Sequence, residues 1–410
     1  MMGINQRLYI NKSIAPLAIL RITFGAVLLY STLRFIAKGW VREFYIAPRF
    51  HFTFYGFDWV RPLPAAGMYL VFGVMAVAAL FIAAGFLYRV AVAAFLLCFV
   101  YVELLDKTYY LNHYYFVSLF VFLLLLVPAN RYWSVDVLLR PVLRVTRVPA
   151  WTIDIFRVQL LLVYVFAGLS KLTADWLLHA EPLRIWLPAQ GLPIWMAYAF
   201  SWCGALFDLS IGFLLWWRRT RVLAYVFVVI FHIVTALLFK IGVFPYVMIA
   251  ATLVFFDWKP GPGPVWQPGR APGVLLGVYF VLQILIPMRF LLYPGRLLWT
   301  EQGYRFSWRV MLMEKSGTSF FYVREGERKG EVDNAKFLTP LQERQMATQP
   351  DMILQYAHYL SGVYGGKPVT VESYVTLNGS GSRLYLDSSV DLSRECESFL
   401  PKKWILTFKP

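Results

Sequence analysis

Residues 66–105 read AGMYLVFGVMAVAALFIAAGFLYRVAVAAFLLCFVYVELL, and this stretch decides the fold class. It divides into two apolar runs, 66–86 and 88–105, and Arg89 and Glu103 are its only charged residues. A helix of about 20 apolar residues crosses a bilayer. The stretch therefore predicts two membrane-spanning helices in succession.

Further apolar runs extend this pattern outward in both directions. The run 242–257 is short and could be re-entrant. We interpret the first run as a spanning helix and not as a removed signal peptide, because no small-residue cleavage site follows it. The sequence predicts a polytopic α-helical membrane protein with eight or nine spans and a C-terminal extramembrane α+β domain that is mostly β. The additional runs are 14–36, 109–127, 153–170, 195–217, 221–239, 242–257 and 273–291.

The composition agrees with this class. The chain is 59% hydrophobic and only 15% charged, whereas soluble domains are about 25% charged. Disordered chains, collagen-like fibres and small disulfide scaffolds are thereby excluded. The three cysteines, Cys98, Cys203 and Cys396, form no CxxC or Cys/His cluster, so we predict neither a disulfide framework nor a metal site.

The positive charge is concentrated in short loops. The net charge is +16, and residues 294–410 hold 15 basic and 13 acidic side chains, which leaves +14 for residues 1–293. This distribution follows the positive-inside rule and argues against nucleic-acid binding. With nine spans, the basic groups around Lys12, Arg131–Arg147 and Arg218–Arg221 fall on one side, which we predict to be cytoplasmic. The C-terminal region then lies in the periplasm or a lumen.

The hydropathy falls after about residue 293, which divides the chain into a transmembrane domain (1–293, with a Gly/Pro-rich linker at about 259–272) and a soluble domain (294–410). Alternation predicts strands at Thr318–Arg324 and Val369–Leu377. The segment Asp351–Tyr364 is predicted to be helical, with the acidic residue near its start.

Ionisable residues close to the spans are the candidates for chemistry, since charges at membrane depth are costly. Lys171 ends the fifth run, where a desolvated amine could serve as a general base or the side chain could simply reach the interface. The polar segment Asp106–His113 could form part of a site or an ordinary loop. His232 with Phe244–Met248 would suit a flat apolar ligand such as a quinone, or could reflect plain packing. Asp208 and Arg157 are interpreted as structural members of ion pairs.

Several stretches carry a family resemblance. They are LLDKTYYLNHYY (104–115), YWSVD (132–136), VYVFAGLSKLTADW (163–176), DLSIGFLL (208–215), FHIVTALLFKIGVFPYVMIA (231–250) and DMILQYAHYLS (351–361). Together they resemble the vitamin K-dependent gamma-glutamyl carboxylase family, and residues 38–64 resemble its bacterial branch. The resemblance extends from about Leu20 to Phe399. The chain stops soon after the first soluble domain, so we expect the region with which the animal enzymes bind a propeptide to be missing.

The resemblance implies a reaction and residue roles. In this family a lysine deprotonates reduced vitamin K, O₂ converts the quinol to its epoxide, and this reaction drives removal of a γ-proton from glutamate, to which CO₂ adds. The matching lysine is Lys171. Asn112 and His113 match a pair that positions the quinol and stabilises its anion. Phe244 and Met248 match residues that line the naphthoquinone pocket, with His232 and Tyr246 as neighbours.

Glutamate recognition is predicted less directly. Arg309, Lys336 and Arg344 are basic residues in or near family-like stretches and are tentative substrate ligands or solvated surface charges. Gln349 stands where the family carries a histidine.

Three functions follow as hypotheses. The first is a quinol-driven glutamyl carboxylase, a lyase and epoxidase acting on a glutamate-containing protein or peptide. The second is a quinol epoxidase that does not carboxylate protein. The third is a non-enzymatic membrane protein that reuses the fold. For an enzyme in a bacterial inner membrane, we expect menaquinol as the reduced vitamin K, with O₂ and CO₂ or bicarbonate as co-substrates and no metal.

Overall fold

The computed structural model describes residues 8–239, 241–259, 261–267, 272–326 and 328–408, so residues 260 and 268–271 of the predicted linker lie outside the described residues. Within these ranges, nine apolar helices occupy the nine predicted runs, with ends that differ by a few residues. They are α1 (Ala15–Ala37), α2 (Ala65–Ala84), α3 (Tyr88–Leu105), α4 (Asn112–Leu126), α5 (Trp151–Ser170), α6 (Ile194–Trp216), α7 (Arg221–Leu238), α8 (Phe244–Thr252) and α9 (Gly273–Met288).

The lengths of these helices refine the predicted number of spans. Seven of them are long and apolar enough to cross a membrane, with α9 counted together with the 3₁₀ turn that extends it to Leu292, and α4 and α8 are the two shorter ones. The α4 helix has 15 residues and α8 has 9, followed by a 3₁₀ turn to Phe255. The protein is therefore an integral membrane protein, and its eight or nine predicted spans comprise seven full-length helices and two short ones. Shorter connecting helices are Val135–Leu139, Ala174–Leu177, Leu183–Trp186 and Leu297–Thr300.

One end of the helical bundle carries a cluster of ion pairs. Lys12 Nζ lies 3.0 Å from Asp154, and Asp257 accepts from Arg157 at 2.8 Å and from Arg221 at 2.7 Å. Burial alone would raise the pKa of Asp257, but hydrogen bonds and charge from the two arginines lower it to about 2. As expected, Arg157 is a structural ion-pair member. The pairs bring Lys12 of the first strand, Arg157 of α5 and Arg221 at the start of α7 to the same end of the bundle.

The C-terminal part contains a four-stranded antiparallel sheet. Two short strands near the bundle, β1 (Asn11–Ser13) and β2 (Arg147–Pro149), pair with each other. Across the four-stranded sheet the strands lie in the order β4 (Arg328–Glu331), β3 (Lys315–Glu325), β5 (Val369–Leu377) and β6 (Arg383–Leu384). The predicted strands are found, the first longer than expected, and the predicted helix begins one residue early. The elements are β3 (Lys315–Glu325), β4 (Arg328–Glu331), α10 (Pro340–Met346), α11 (Pro350–Val363), β5 (Val369–Leu377) and β6 (Arg383–Leu384).

A buried polar cluster joins the sheet part to the helical part. Asp351, at the start of α11, lies 2.8 Å from Lys107 and 2.7 Å from Arg305. Nearby, the Gln342 amide donates to Asp106 at 2.9 Å. Burial alone would raise the pKa of Asp351, but the charges of Arg305 and Lys107 hold this pKa well below its usual range. This cluster fixes the sheet region against the loop that leads into α4.

We expect Asp351→Asn to lower the free energy of unfolding by about 2–3 kcal/mol, because it leaves the buried Lys107 without a counter-charge. The Asp351 pKa is depressed in the folded protein. Its contribution to the free energy of unfolding is therefore complete above the ordinary carboxyl pKa of about 4 and declines only at lower pH. Thermal unfolding in detergent should show that Asp351→Asn is less stable than the wild type by the same amount at pH 5 and pH 7. The control Glu372→Gln removes an exposed pair with Lys329 and should cost at most about 1 kcal/mol.

Candidate active site

An apolar cavity of about 590 Å³ lies among α4, α5, α6, α7 and α8. Its wall includes five residues that the sequence analysis selected, namely Lys171, Asn112, His232, Phe244 and Met248. Toward the sheet region the lining comes from Trp176, Leu183, Trp308 and Val310. The fold therefore brings together residues that are separated by more than 130 positions in the chain.

The strongest polar feature of the wall is an ion pair. Lys171 ends α5, and its Nζ lies 2.7 Å from Oδ2 of Asp208 on α6 and 3.4 Å from the Ala167 carbonyl oxygen. Both side chains are buried. The ammonium group also lies 5.2 Å from the centre of the Trp176 ring. Lys171 thus points into the protein and does not extend to the interface.

Small residues explain why these two helices approach closely enough for the pair to form. A Cβ atom on Gly168 would lie 2.7 Å from Leu209 Cγ and 2.8 Å from the Leu209 backbone nitrogen. Gly212 has a similar contact with Leu161 of α5. Such contacts between small residues and a neighbouring backbone are typical of close helix packing in membranes. Because Gly168 and Leu209 are near neighbours in sequence of Lys171 and Asp208, this contact sets the distance within the ion pair.

Gly168→Ala should therefore destabilise the protein by about 1–3 kcal/mol, since α5 and α6 must separate to accommodate the methyl group. The melting temperature in detergent measures this effect. Gly73→Ala is the control, because nothing lies within 4 Å of a Cβ atom at that glycine of α2. Equal melting temperatures for the two variants would show that the close contact does not hold the helices together.

A second wall combines a histidine with aromatic residues. His232 of α7 is buried, its Nε2 lies 3.3 Å from the Tyr164 hydroxyl, and its Nδ1 has no hydrogen-bond partner among the described residues. Its ring is edge-on to Phe244 at 5.6 Å. Phe244 and Met248 lie one helical turn apart on α8, whereas Tyr246 is exposed and does not line the cavity.

Asn112 and His113 lie at the start of α4 and differ in their relation to the cavity. The Asn112 amide nitrogen donates to the Arg309 carbonyl oxygen at 2.8 Å, and its oxygen accepts from the Tyr110 hydroxyl at 3.0 Å. This leaves one amide N–H available. The buried His113 ring lies 5.6 Å from that of Phe244, so His113 is adjacent to the cavity wall but is not among the residues that line the cavity.

The segment 301–311 closes the cavity on the sheet side with an unusual backbone. Glu301, Phe306, Trp308 and Met311 have φ angles of 54°, 58°, 60° and 57°. Left-handed conformations of non-glycine residues cost free energy and cluster at functional sites. The Trp308 ring stacks on Tyr115 at 5.1 Å, and its Nε1 has no partner among the described residues.

The tentative substrate residues do not converge. The Arg309 side chain lies over the Phe290 ring at 4.3 Å, and only its backbone contacts Asn112. Burial lowers the pKa of Arg309. Lys336 and Arg344 are exposed, and neither lines the cavity.

Two residues of the site were not predicted from the sequence. Asp208 was expected to pair inside the bundle, and it does, but its partner is Lys171. One signal was present, since Asp208 is the only acidic residue in the run 195–217 and an acid at this depth requires a cationic partner. Trp308 carried no comparable signal. In the described ranges no group of three or more His, Cys, Asp or Glu side chains could hold a metal ion, and the absence of a metal requirement stays a prediction.

Comparison with known proteins gives two matches that together cover most of the chain. Residues 9–259 match the family model of the HTTM domain. Residues 270–410 match the vitamin K-dependent gamma-carboxylase, lumenal domain. The second match begins just before α9. No solved structure matches the chain.

Proposed function

The chain belongs to the vitamin K-dependent gamma-carboxylase family, and from this premise we propose that it oxidises a naphthoquinol with O₂ and uses this reaction to carboxylate glutamate with CO₂. The family membership itself supports a vitamin K-dependent carboxylase-like function with reduced vitamin K, O₂ and CO₂. Menaquinol as the quinol, and epoxide as its product, are the finer parts of the proposal.

The observation that carries the proposal is the Lys171–Asp208 pair in the wall of an apolar cavity. Lys171 acts as the base once the ion pair has released one proton to solvent. Its neutral amine then accepts the proton of a quinol hydroxyl, which leaves the quinol anion, and the Asp208 carboxylate stabilises the ammonium that results. The quinol, when bound, supplies the electrons that reduce O₂ and the driving force for removing a proton from a carbon. The apolar lining excludes water from that chemistry.

The residues of the cavity fit such a ligand. Its volume and apolar lining suit a bicyclic ring with an apolar chain. His232 and Trp308 belong to the cavity wall, and their Nδ1 and Nε1 atoms are enclosed by protein and have no hydrogen-bond partner among the described residues. Phe244 and Met248 offer surfaces for a flat ring.

We assign supporting roles to the neighbouring residues. The free Asn112 N–H can stabilise negative charge on a quinol oxygen. Tyr164 holds the His232 ring in place through Nε2. His113 orients Phe244 from behind. Tyr246, Lys336 and Arg344 lie away from the cavity, and the proposal gives them no role.

A quinol epoxidase without carboxylation is the second candidate, and Gln349 favours it. This residue occupies the position of the family histidine, where it accepts a hydrogen bond from Arg305 and donates one to Gln345 at 3.0 Å. It is therefore committed to the junction between the two parts of the chain and is not free to bind glutamate.

We propose a bacterial inner membrane as the location, with the N-terminus cytoplasmic and the sheet region periplasmic. The pairing of β1 with β2 and the ion pairs of Asp154 and Asp257 support this, because they place Lys12, Arg147 and Arg221 at one end of the bundle. The sheet region lies at the opposite end, beyond Lys107.

The test uses purified protein in nanodiscs with reduced menaquinone-4, O₂, ¹⁴C-bicarbonate and a glutamate-containing peptide. Epoxide and fixed ¹⁴C are scored separately. Both products are expected if the carboxylase proposal is right. Epoxide without fixed ¹⁴C, with several peptides, would favour the second candidate. Neither product from folded protein would contradict both candidates.

A further inference from the structure

The cavity reaches the outer surface of the bundle between α6 and α7. Leu206 on α6 and Phe227 and Ile230 on α7 line the cavity, yet they are 60%, 48% and 52% exposed on the outside of the bundle. A side chain can line the cavity and also be exposed to this extent only where the cavity opens to the surface. We call the opening bounded by Cys203, Leu206, Ser210, Phe227 and Ile230 the lateral slot.

The lateral slot faces hydrocarbon and not water. Its residues lie within the membrane-spanning lengths of α6 and α7. It contains no charged side chain, and its Ser210 hydroxyl donates to the Leu206 carbonyl oxygen at 2.7 Å within the same helix. A molecule that enters here must therefore come from the bilayer and must present an apolar surface to the slot.

The inner margin of the slot leads directly to the polar groups of the site. The Phe207 and Phe231 rings stack at 4.0 Å with an interplanar angle of 12° and connect α6 to α7. Asp208 and His232 are their immediate neighbours in sequence, and both line the cavity. The ligand that suits this arrangement has a polar ring at one end and a long apolar chain at the other.

We propose that the quinol enters from the bilayer through the lateral slot, an inference that rests on the proposed function. Its isoprenoid chain then remains in the slot while its ring lies at Lys171. The opposite side of the cavity is covered by Trp308 and Val310 of the segment 301–311. The proposal therefore concerns the lipid-soluble substrate alone.

The test compares two tryptophan substitutions on the same face of α7. Ile230→Trp narrows the slot, and Leu223→Trp adds the same bulk at a lipid-exposed position that does not line the cavity. We expect Ile230→Trp to raise the KM for reduced menaquinone-4 by roughly ten-fold. Menadiol has no isoprenoid chain, and its KM should rise by less than about two-fold. Leu223→Trp should change neither. An equal effect of Ile230→Trp on both quinols, or on neither, overturns the proposal.

A second readout does not depend on catalysis. In a Cys98→Ser/Cys396→Ser background, Cys203 is the only cysteine, and it lies on the slot. Menaquinone-4 should slow its labelling by a membrane-permeant maleimide by about five-fold or more, and menadione should slow it less. The proposal is overturned if menaquinone-4 leaves the rate of Cys203 labelling unchanged. It is also overturned if a phospholipid acyl chain slows this labelling as much as menaquinone-4 does. If the wild type forms no epoxide but Cys203 is protected, the proposed function fails and the slot stands.

Discussion

We expect Lys171→Ala to abolish the proposed quinol epoxidation, with a loss of at least about 10³-fold in rate, and to abolish carboxylation with it. The reason is that the Lys171 amine lies in the cavity wall and its Nζ is 2.7 Å from the Asp208 carboxylate, which stabilises the ammonium formed when the amine takes up a proton. General bases contribute about 10²–10⁴-fold. Epoxide formation from reduced menaquinone-4 measures the effect.

Two further variants separate chemistry from folding. Lys12→Ala removes a lysine that also pairs with an aspartate, at 3.0 Å, but at the other end of the bundle, and it should retain activity. Lys171→Met/Asp208→Asn removes the pair without leaving an uncompensated buried charge, so it should fold and remain inactive. Substantial epoxidation by this folded double variant would show that Lys171 is not the base.

The second large effect is expected for Asp208→Asn. The substitution keeps the shape of the side chain but removes the charge that stabilises the ammonium of Lys171 in an apolar environment. A loss of about 3 kcal/mol of this stabilisation corresponds to roughly a 10²-fold lower rate of epoxidation. Initial rates at saturating quinol are the appropriate measurement.

Matched variants make this second prediction specific. Asp208→Glu retains the charge, so it should recover part of the activity. Asp154→Asn removes a carboxylate that pairs with Lys12 and Arg157 far from the cavity, and its epoxidation rate should stay within about two-fold of the wild type. Equal rates for Asp208→Asn and the wild type would show that Lys171 does not depend on its partner.

The spanning helices could be predicted because a continuous apolar run is a local property of the sequence. The short α8 helix could also be predicted from local sequence, because the apolar run 242–257 is itself short and gives a helix of nine residues. The strand Val369–Leu377 was predicted with its observed bounds because strict alternation marks one buried face.

The candidate site could be predicted only in part. Phe244 and Met248 both reach the cavity, and helical spacing explains why Tyr246 does not, because a residue two positions away on a helix lies on another face. The partner of Lys171 is 37 positions distant on another helix. Their meeting depends on the Gly168 contact, which is a property of packing and cannot be read from periodicity.

The segment 301–311 was also beyond prediction. Trp308, Val310 and Met311 of this segment line the cavity, and four of its non-glycine residues adopt left-handed backbone conformations. Such conformations are set by surrounding structure and not by local preference.

The most direct test of the central claim is tritium release from a glutamate-containing peptide labelled at the γ-carbon. Carboxylation requires that this C–H bond be broken, whereas epoxidation alone does not touch it. We predict release that requires reduced menaquinone-4 and O₂ and that disappears in Lys171→Ala. Epoxide formation by the wild type without any release of tritium would contradict the account.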